Sequence, residues 1–351
     1  MKIAILTDET KKQHSTNWSF PWIEYCKLNN IDFELVNPYN IGQVKYLLKF
    51  DIILWHFNNY SHTDMLMARN VLFTLEAAGK KVFPSIKDAW HFDDKLAETY
   101  LLESINAPIP MSFYYYRLDD LQKAINNNDL NFPIIAKLRN GSGSHNVKLL
   151  NNSHELIGYS KKMFNSGIDG SPNIFYKTSS NLKSSKNFKT IVNRAKRIPE
   201  FIRTYSSARK FNREKGYVFL QEFIPNDGFD LKIVVVGDKL SFIGRNIRKG
   251  EFRASGGGSL FYDKNMVPKN VINSAFKISD KLGFNCMGYD YVVDKSSSNG
   301  KVIEISYGFS HQALLDANGY FDREGNWHDE PLNAPKEILQ NLILKNRMSS
   351  K

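Results

Sequence analysis

Lys137 ends an apolar, β-rich run, and Asn140, Gly141, Ser142, Gly143 and Ser144 follow before a second such run begins. Glycines between strands let backbone N–H groups close on an anion, most often phosphate. The lysine precedes the glycines, and no Gly-Lys-Ser/Thr follows to open a helix, so the stretch is not a P-loop. Taken singly, the other polar candidates have ordinary readings. Lys95 on a helix is a solvated lysine, and Gln221–Ile224 is a half-buried strand segment. Arg245 and Arg253 are strand-face charges, and Asp290 and Glu304, on runs joined by "SSSNG", are cross-strand partners of lysines.

These residues need elements to hold them. "KIAILTD", "DFELVNP", "DIILWHF" and "KKVFPS" are short β-type runs spaced to leave room for helices. "WSFPWIEYCKLNN" and "TDMLMARNVLFTLEAAGK" supply two of those helices, the second ending at Gly79. This alternation predicts a parallel, three-layer α/β domain over residues 1–95. The first strand is not followed by G-x-G-x-x-G, which disfavours dinucleotide binding there. "DDKLAETYLLESINAPIP" is an amphipathic helix capped by Asp93 or Asp94 and closed by prolines. From Tyr217 the chain turns strongly β, with a hairpin turn at Gly237 and Asp238, one helix near "KNVINSAFKISDKLG", and a last hairpin carrying Asp290 and Glu304.

A chain of 351 residues has room for two or three domains. Its charge of +11 is concentrated. Residues 177–215 hold twelve Lys/Arg against Glu200 and Glu214, a local net of +10. Such a run is either a solvated excursion or a surface for polyanions. The absence of zinc-ligand spacing and of a familiar nucleic-acid signature leaves nucleic acid unexpected as a partner. Cys26 and Cys286 are too few and too far apart for a disulfide or metal framework. No apolar run approaches the ~20 residues of a membrane span, and "MKIAILTDET" lacks a cleavable leader pattern, so a cytoplasmic location is expected.

The order of the features is more telling than any one of them. A helix lysine is followed by a strand lysine with a Gly/Ser hairpin, then "QEFI", then Asp-x-Lys, then arginines with a Gly-rich turn. Asp on one hairpin strand and Glu on the next complete the series. From Phe83 to Gln312 this pattern resembles the ATP-grasp superfamily, and most closely its ribosomal-protein glutamate ligases. The resemblance implies an α/β chain with three parts. Residues 1–95 match the pre-ATP-grasp domain, 96–216 a lid subdomain carrying the basic insertion, and 217–351 a mainly antiparallel catalytic sheet.

The resemblance also implies roles. Lys95 and Lys137 match the lysines that neutralise the α- and β-phosphates of ATP, and Gly141, Ser142, Gly143 and Ser144 the loop that closes over the triphosphate. Gln221, Glu222, Phe223 and Ile224 match the segment that reads adenine, with Asp227 or Asn226 near the ribose. Arg245 and Arg253 match arginines that face the γ-phosphate and the transferred group. Asp290 and Glu304 match the carboxylates for Mg²⁺, with Mn²⁺ as an alternative. Two positions depart from the family pattern. Ser306 stands where the family has a metal-ligating Asn, and Lys232, in Asp230-Leu231-Lys232, replaces an arginine of the nucleotide site.

The activity implied is carboxylate–amine ligation through an acyl phosphate, releasing ADP and phosphate. Partners would be an acidic acceptor, such as a sugar acid of surface-polysaccharide synthesis or an acidic peptide, plus an amine; a homodimer is compatible. The alternatives are a kinase acting on a polyanionic acceptor, and a non-catalytic nucleotide-binding protein whose basic segment binds nucleic acid or anionic membrane. His311, Trp327 and His328 read first as packing residues and second as an acceptor lining.

Overall fold

The structure, a computed structural model, describes residues 1–7, 18–40, 42–59, 61–141, 147–170, 213–247, 251–252 and 259–349. Most of the basic segment, Ser142–Ser144 and Arg253 lie outside the described residues.

Short apolar runs build the first sheet, with strands Lys2–Leu6, Ile52–Leu54 and Lys81–Phe83 largely buried under the helices between them and the outer strand Asp32–Val36 only partly covered. Its elements are β1 (Lys2–Leu6), α1 (Ser19–Leu28), β2 (Asp32–Val36), α2 (Gln43–Leu47), β3 (Ile52–Leu54), α3 (His62–Ala77) and β4 (Lys81–Phe83). The strands run parallel in the order β2-β1-β3-β4. Ser61 caps α3 by accepting from the Asp64 N–H at 3.2 Å, and Gly79, at φ +84°, terminates it as expected. The short α4 (Ile86–Ala89) leads to α5 (Lys95–Ser104). Between the two expected caps the structure selects Asp94, whose carboxylate accepts from the Ala97 N–H at 3.1 Å.

The middle part is a small antiparallel sheet with its own core. It comprises β5 (Ser112–Tyr115), α6 (Leu118–Asn126), β6 (Ile134–Lys137), β7 (Lys148–Leu150), α7 (Ser153–Phe164) and β10 (Val218–Glu222), ordered β5-β10-β6-β7. The opening hairpin is thus β6 and β7. Strands β8 (Ile168–Asp169) and β9 (Arg213–Glu214) pair as a two-stranded stem. Leu121, Ala136, Leu156, Met163 and Leu220 form the core here, separate from the rest of the molecule.

The last part is an antiparallel sheet ordered β15-β14-β11-β12-β16-β17, with β13 paired to β12. Its elements are β11 (Phe229–Val236), β12 (Lys239–Asn246), β13 (Leu260–Phe261), α8 (Lys269–Leu282), β14 (Cys286–Val293), β15 (Gly300–Ser306), α9 (His311–Leu315), β16 (Tyr320–Phe321), β17 (Trp327–His328) and α10 (Ala334–Ser349). Its apolar face shares one continuous core with the N-terminal sheet, so Ile3, Ile53 and Phe83 belong to the same cluster as Ile233, Tyr289 and Tyr307. Among the described residues no helix is long and apolar enough to cross a membrane.

Candidate active site

The site lies where α5, the small sheet and the edge of the large sheet meet. The chain before and at the start of α5 grips the first residues of the β6–β7 loop. Asp93, held at φ +59°, accepts from the Gly141 N–H, while the Lys95 N–H donates to Arg139 O at 2.9 Å. The Lys95 ammonium donates to Gly141 O at 2.5 Å and lies 3.8 Å from Glu304 Oε1. Burial alone would lower the Lys95 pKa, but Glu304, Asp93, Glu98 and Asp290 outweigh it and raise it above the usual lysine value.

Lys137 enters from the opposite side, at the end of β6. Its ammonium donates to Gln221 Oε1 at 2.5 Å and to Ile303 O at 3.0 Å. Here burial dominates and brings the lysine down to about 8 despite the attraction of Glu304. Gln221 sits opposite Ile135 in the ladder, and its Nε2 donates to Ser112 Oγ at 3.1 Å. The carboxamide is thus used within the protein.

Two carboxylates face each other on the large sheet. Asp290 on β14 and Glu304 on β15 are register partners, and the register shifts immediately after them, so Ile303 is the extra residue of a β-bulge. Asp290 is clamped by two cations, with Lys232 Nζ 2.5 Å from Oδ1 and Arg245 Nη2 3.0 Å from Oδ2. Burial would raise this acid, yet Arg245 and Lys232 hold it down to about 2. Arg245 in turn grips the fully buried Asp230 with two bonds of 2.6 and 2.7 Å. Glu304 is less encumbered, with about a quarter of its side chain exposed.

The remaining expected residues spread outward from this centre. Glu222 is exposed, and its carboxylate accepts from the Met111 N–H at 3.3 Å. Phe223 is half-buried and Ile224 buried, while Asp227 is exposed and pairs with Lys295 at 3.1 Å. The Ser306 hydroxyl is occupied locally, donating to Gly308 O and accepting from its N–H. His311 is buried at the start of α9, Trp327 packs edge-on against Phe321, and His328 pairs with Asp322.

Two acids of the site have no role in the sequence reading: Asp230 enters only as the first residue of the Asp-x-Lys motif, and Glu98 not at all. Asp230 stands opposite Arg245 in the β11–β12 ladder and two residues before Lys232, on the same strand face. Glu98, at 2% exposure, accepts from the Ile305 N–H at 3.2 Å through Oε2. Its Oε1 is buried with no hydrogen-bond partner among the described residues. Burial, then the neighbouring Glu304, pushes the Glu98 carboxyl well above the usual range. The available signal was an acid three positions after Lys95, on the face that also carries the buried Thr99 and Leu102.

The chain's fold recurs in known structures. A D-alanine–D-alanine ligase from Bacillus anthracis aligns over 99% of both chains with a TM-score of 0.57 and 14% identity. The chain has the ATP-grasp fold. A RimK domain protein ATP-grasp from Sphaerobacter thermophilus covers 98% of this chain and 100% of its own, with a TM-score of 0.52 and 15% identity. An N5-carboxyaminoimidazole synthetase from Staphylococcus aureus complexed with ADP covers 96% of this chain and 77% of its own, at 0.54 and 14%. No protein-family model and no curated protein sequence matches the chain. Both the expected ATP-grasp class and its division into parallel and antiparallel sheets agree with the structure.

Proposed function

We propose that this chain is an ATP-dependent carboxylate–amine ligase. One observation carries the reading. Lys95 from α5 and Lys137 from the small sheet converge on the strand that bears Glu304, at 3.8 Å from its carboxylate and 3.0 Å from the neighbouring Ile303 carbonyl. Two lysines and two carboxylates brought together suit a triphosphate with its counter-cation, because phosphoryl transfer needs positioning and charge neutralisation more than a protein nucleophile.

Among the described residues no group of three or more His, Cys, Asp or Glu side chains is placed to hold a metal. The Asp290–Glu304 pair fits a hard divalent cation that arrives with the nucleotide, since Mg²⁺ takes one or two carboxylates and fills its shell with phosphate and water. When bound, Mg²⁺ would offset charge on the transferring phosphoryl group. Lys95 and Lys137 would neutralise phosphates, the loop beginning at Gly141 would offer N–H donors, and Gln221–Ile224 would border the adenine, with Asp227 at the ribose edge. Lys232 would act by holding Asp290. Arg245 and Arg253 would face the transferred group, and Ser306 would support the metal strand through its turn.

The γ-phosphoryl group passes to a carboxylate, an amine displaces phosphate from the acyl phosphate, and ADP and phosphate leave. The charge of residues 177–215 suits an acidic acceptor, such as a sugar acid or acidic peptide. The test is product analysis with hydroxylamine in place of the amine, against a panel of sugar acids and amino acids. ADP and phosphate in equal amounts, together with a hydroxamate, are expected. A stable phosphorylated acceptor with no free phosphate would make the protein a kinase instead.

A further inference from the structure

β15 is an edge strand of the large sheet, so one row of its backbone groups has no strand neighbour. Those groups are taken up by other parts of the chain. The Val302 N–H donates to Pro108 O at 2.8 Å, Ile303 O accepts from Lys137 at 3.0 Å, and the Ile305 N–H donates to Glu98 at 3.2 Å. Glu304 therefore sits between two side-chain anchors, a lysine on one flank and a glutamate on the other. The bulge at Ile303 makes the first anchor reachable. The second crosses 207 positions of sequence to join β15 to the helix that starts with Lys95.

Resting on the reading above, we infer that Glu98 is a positioning residue for the metal-binding carboxylate: its carboxyl oxygen holds the backbone beside Glu304 and sets that side chain opposite Asp290. A buried N–H on an edge strand lacks water as a substitute partner, so losing the acceptor leaves the strand free to shift there. The Asp94 cap and Gly141 O hold Lys95 independently of Glu98. The effect should thus fall on the metal and spare the nucleotide's contacts with the lysines.

The experiment measures ATP binding by calorimetry with and without Mg²⁺, in the full chain and without acceptor. Wild type should bind ATP more tightly with Mg²⁺ than without it. Glu98→Leu should cut that Mg²⁺-dependent gain tenfold or more, while metal-free ATP affinity stays within threefold. Glu98→Gln keeps an oxygen acceptor at the same reach and should retain the gain within threefold. A general loss of structure would lower both affinities together, and that result overturns the inference. So does a glutamine variant that fails like the leucine variant, because charge rather than the acceptor would then matter. If wild type binds no ATP under either condition, the proposed function falls and the inference with it.

Discussion

Arg245 on β12 reaches over the intervening strand β11 to place Nη2 3.0 Å from Asp290 Oδ2 on β14, while it grips Asp230 on β11 itself. One guanidinium thus ties three adjacent strands at the point where a metal carboxylate is proposed. Burial alone would lower the arginine's pKa, but Asp290 and Asp230 outweigh it and raise it.

Arg245→Ala should therefore damage the fold as well as the chemistry. Asp230 is fully buried and would lose both of its guanidinium bonds. Breaking a buried pair by removing one partner costs about 3–5 kcal/mol. Chemical denaturation should show a loss of this size, and an unchanged midpoint would mean that the arginine serves only the ligand.

The two lysines should be separable from the fold. Lys95→Ala and Lys137→Ala are each expected to weaken ATP binding by ~2–5 kcal/mol, as for removing one side of a desolvated charge pair. Both variants should remain folded by circular dichroism. Wild-type ATP affinities in the two variants would remove the lysines from the site.

The two carboxylates should respond unequally. Glu304 is partly open, whereas Asp290 is already held by Lys232 and Arg245. Glu304→Gln should abolish Mg²⁺-dependent ADP release, and Asp290→Asn should weaken it severely but leave a residue. Normal turnover of Glu304→Gln at low millimolar Mg²⁺ would refute the metal assignment.

Lys137 gives the pH dependence. Burial lowers it from 10.5 to about 8, so the free protein loses this proton well before an exposed lysine would. A lowered lysine pKa works against the folded state below about 8, and that penalty is relieved as pH rises toward the unfolded value. Bound phosphate favours the ammonium, so ATP binding should take up a proton above pH ~8 and weaken as pH rises further. Calorimetry at that pH in buffers of differing ionisation enthalpy should show uptake in wild type and none in Lys137→Arg. Equal heats in all buffers for wild type would contradict the assignment.

The sequence by itself determined the order of elements and the types of the central residues. Alternating apolar runs and helix caps are local signals, so the parallel domain, the hairpin after Lys137 and the Asp290–Glu304 strand pair were legible without coordinates. The tertiary structure decided which charges meet. That Arg245 grips Asp230 and reaches Asp290 depends on strand register, which long-range pairing sets. The bulge that turns Ile303 O toward Lys137 arises from the same pairing. Glu98 looked like one polar residue on an amphipathic helix, because nothing local marks a carboxyl that will be buried. Only the packing of α5 against β15 removes it from water and gives it the backbone N–H of Ile305 as its partner.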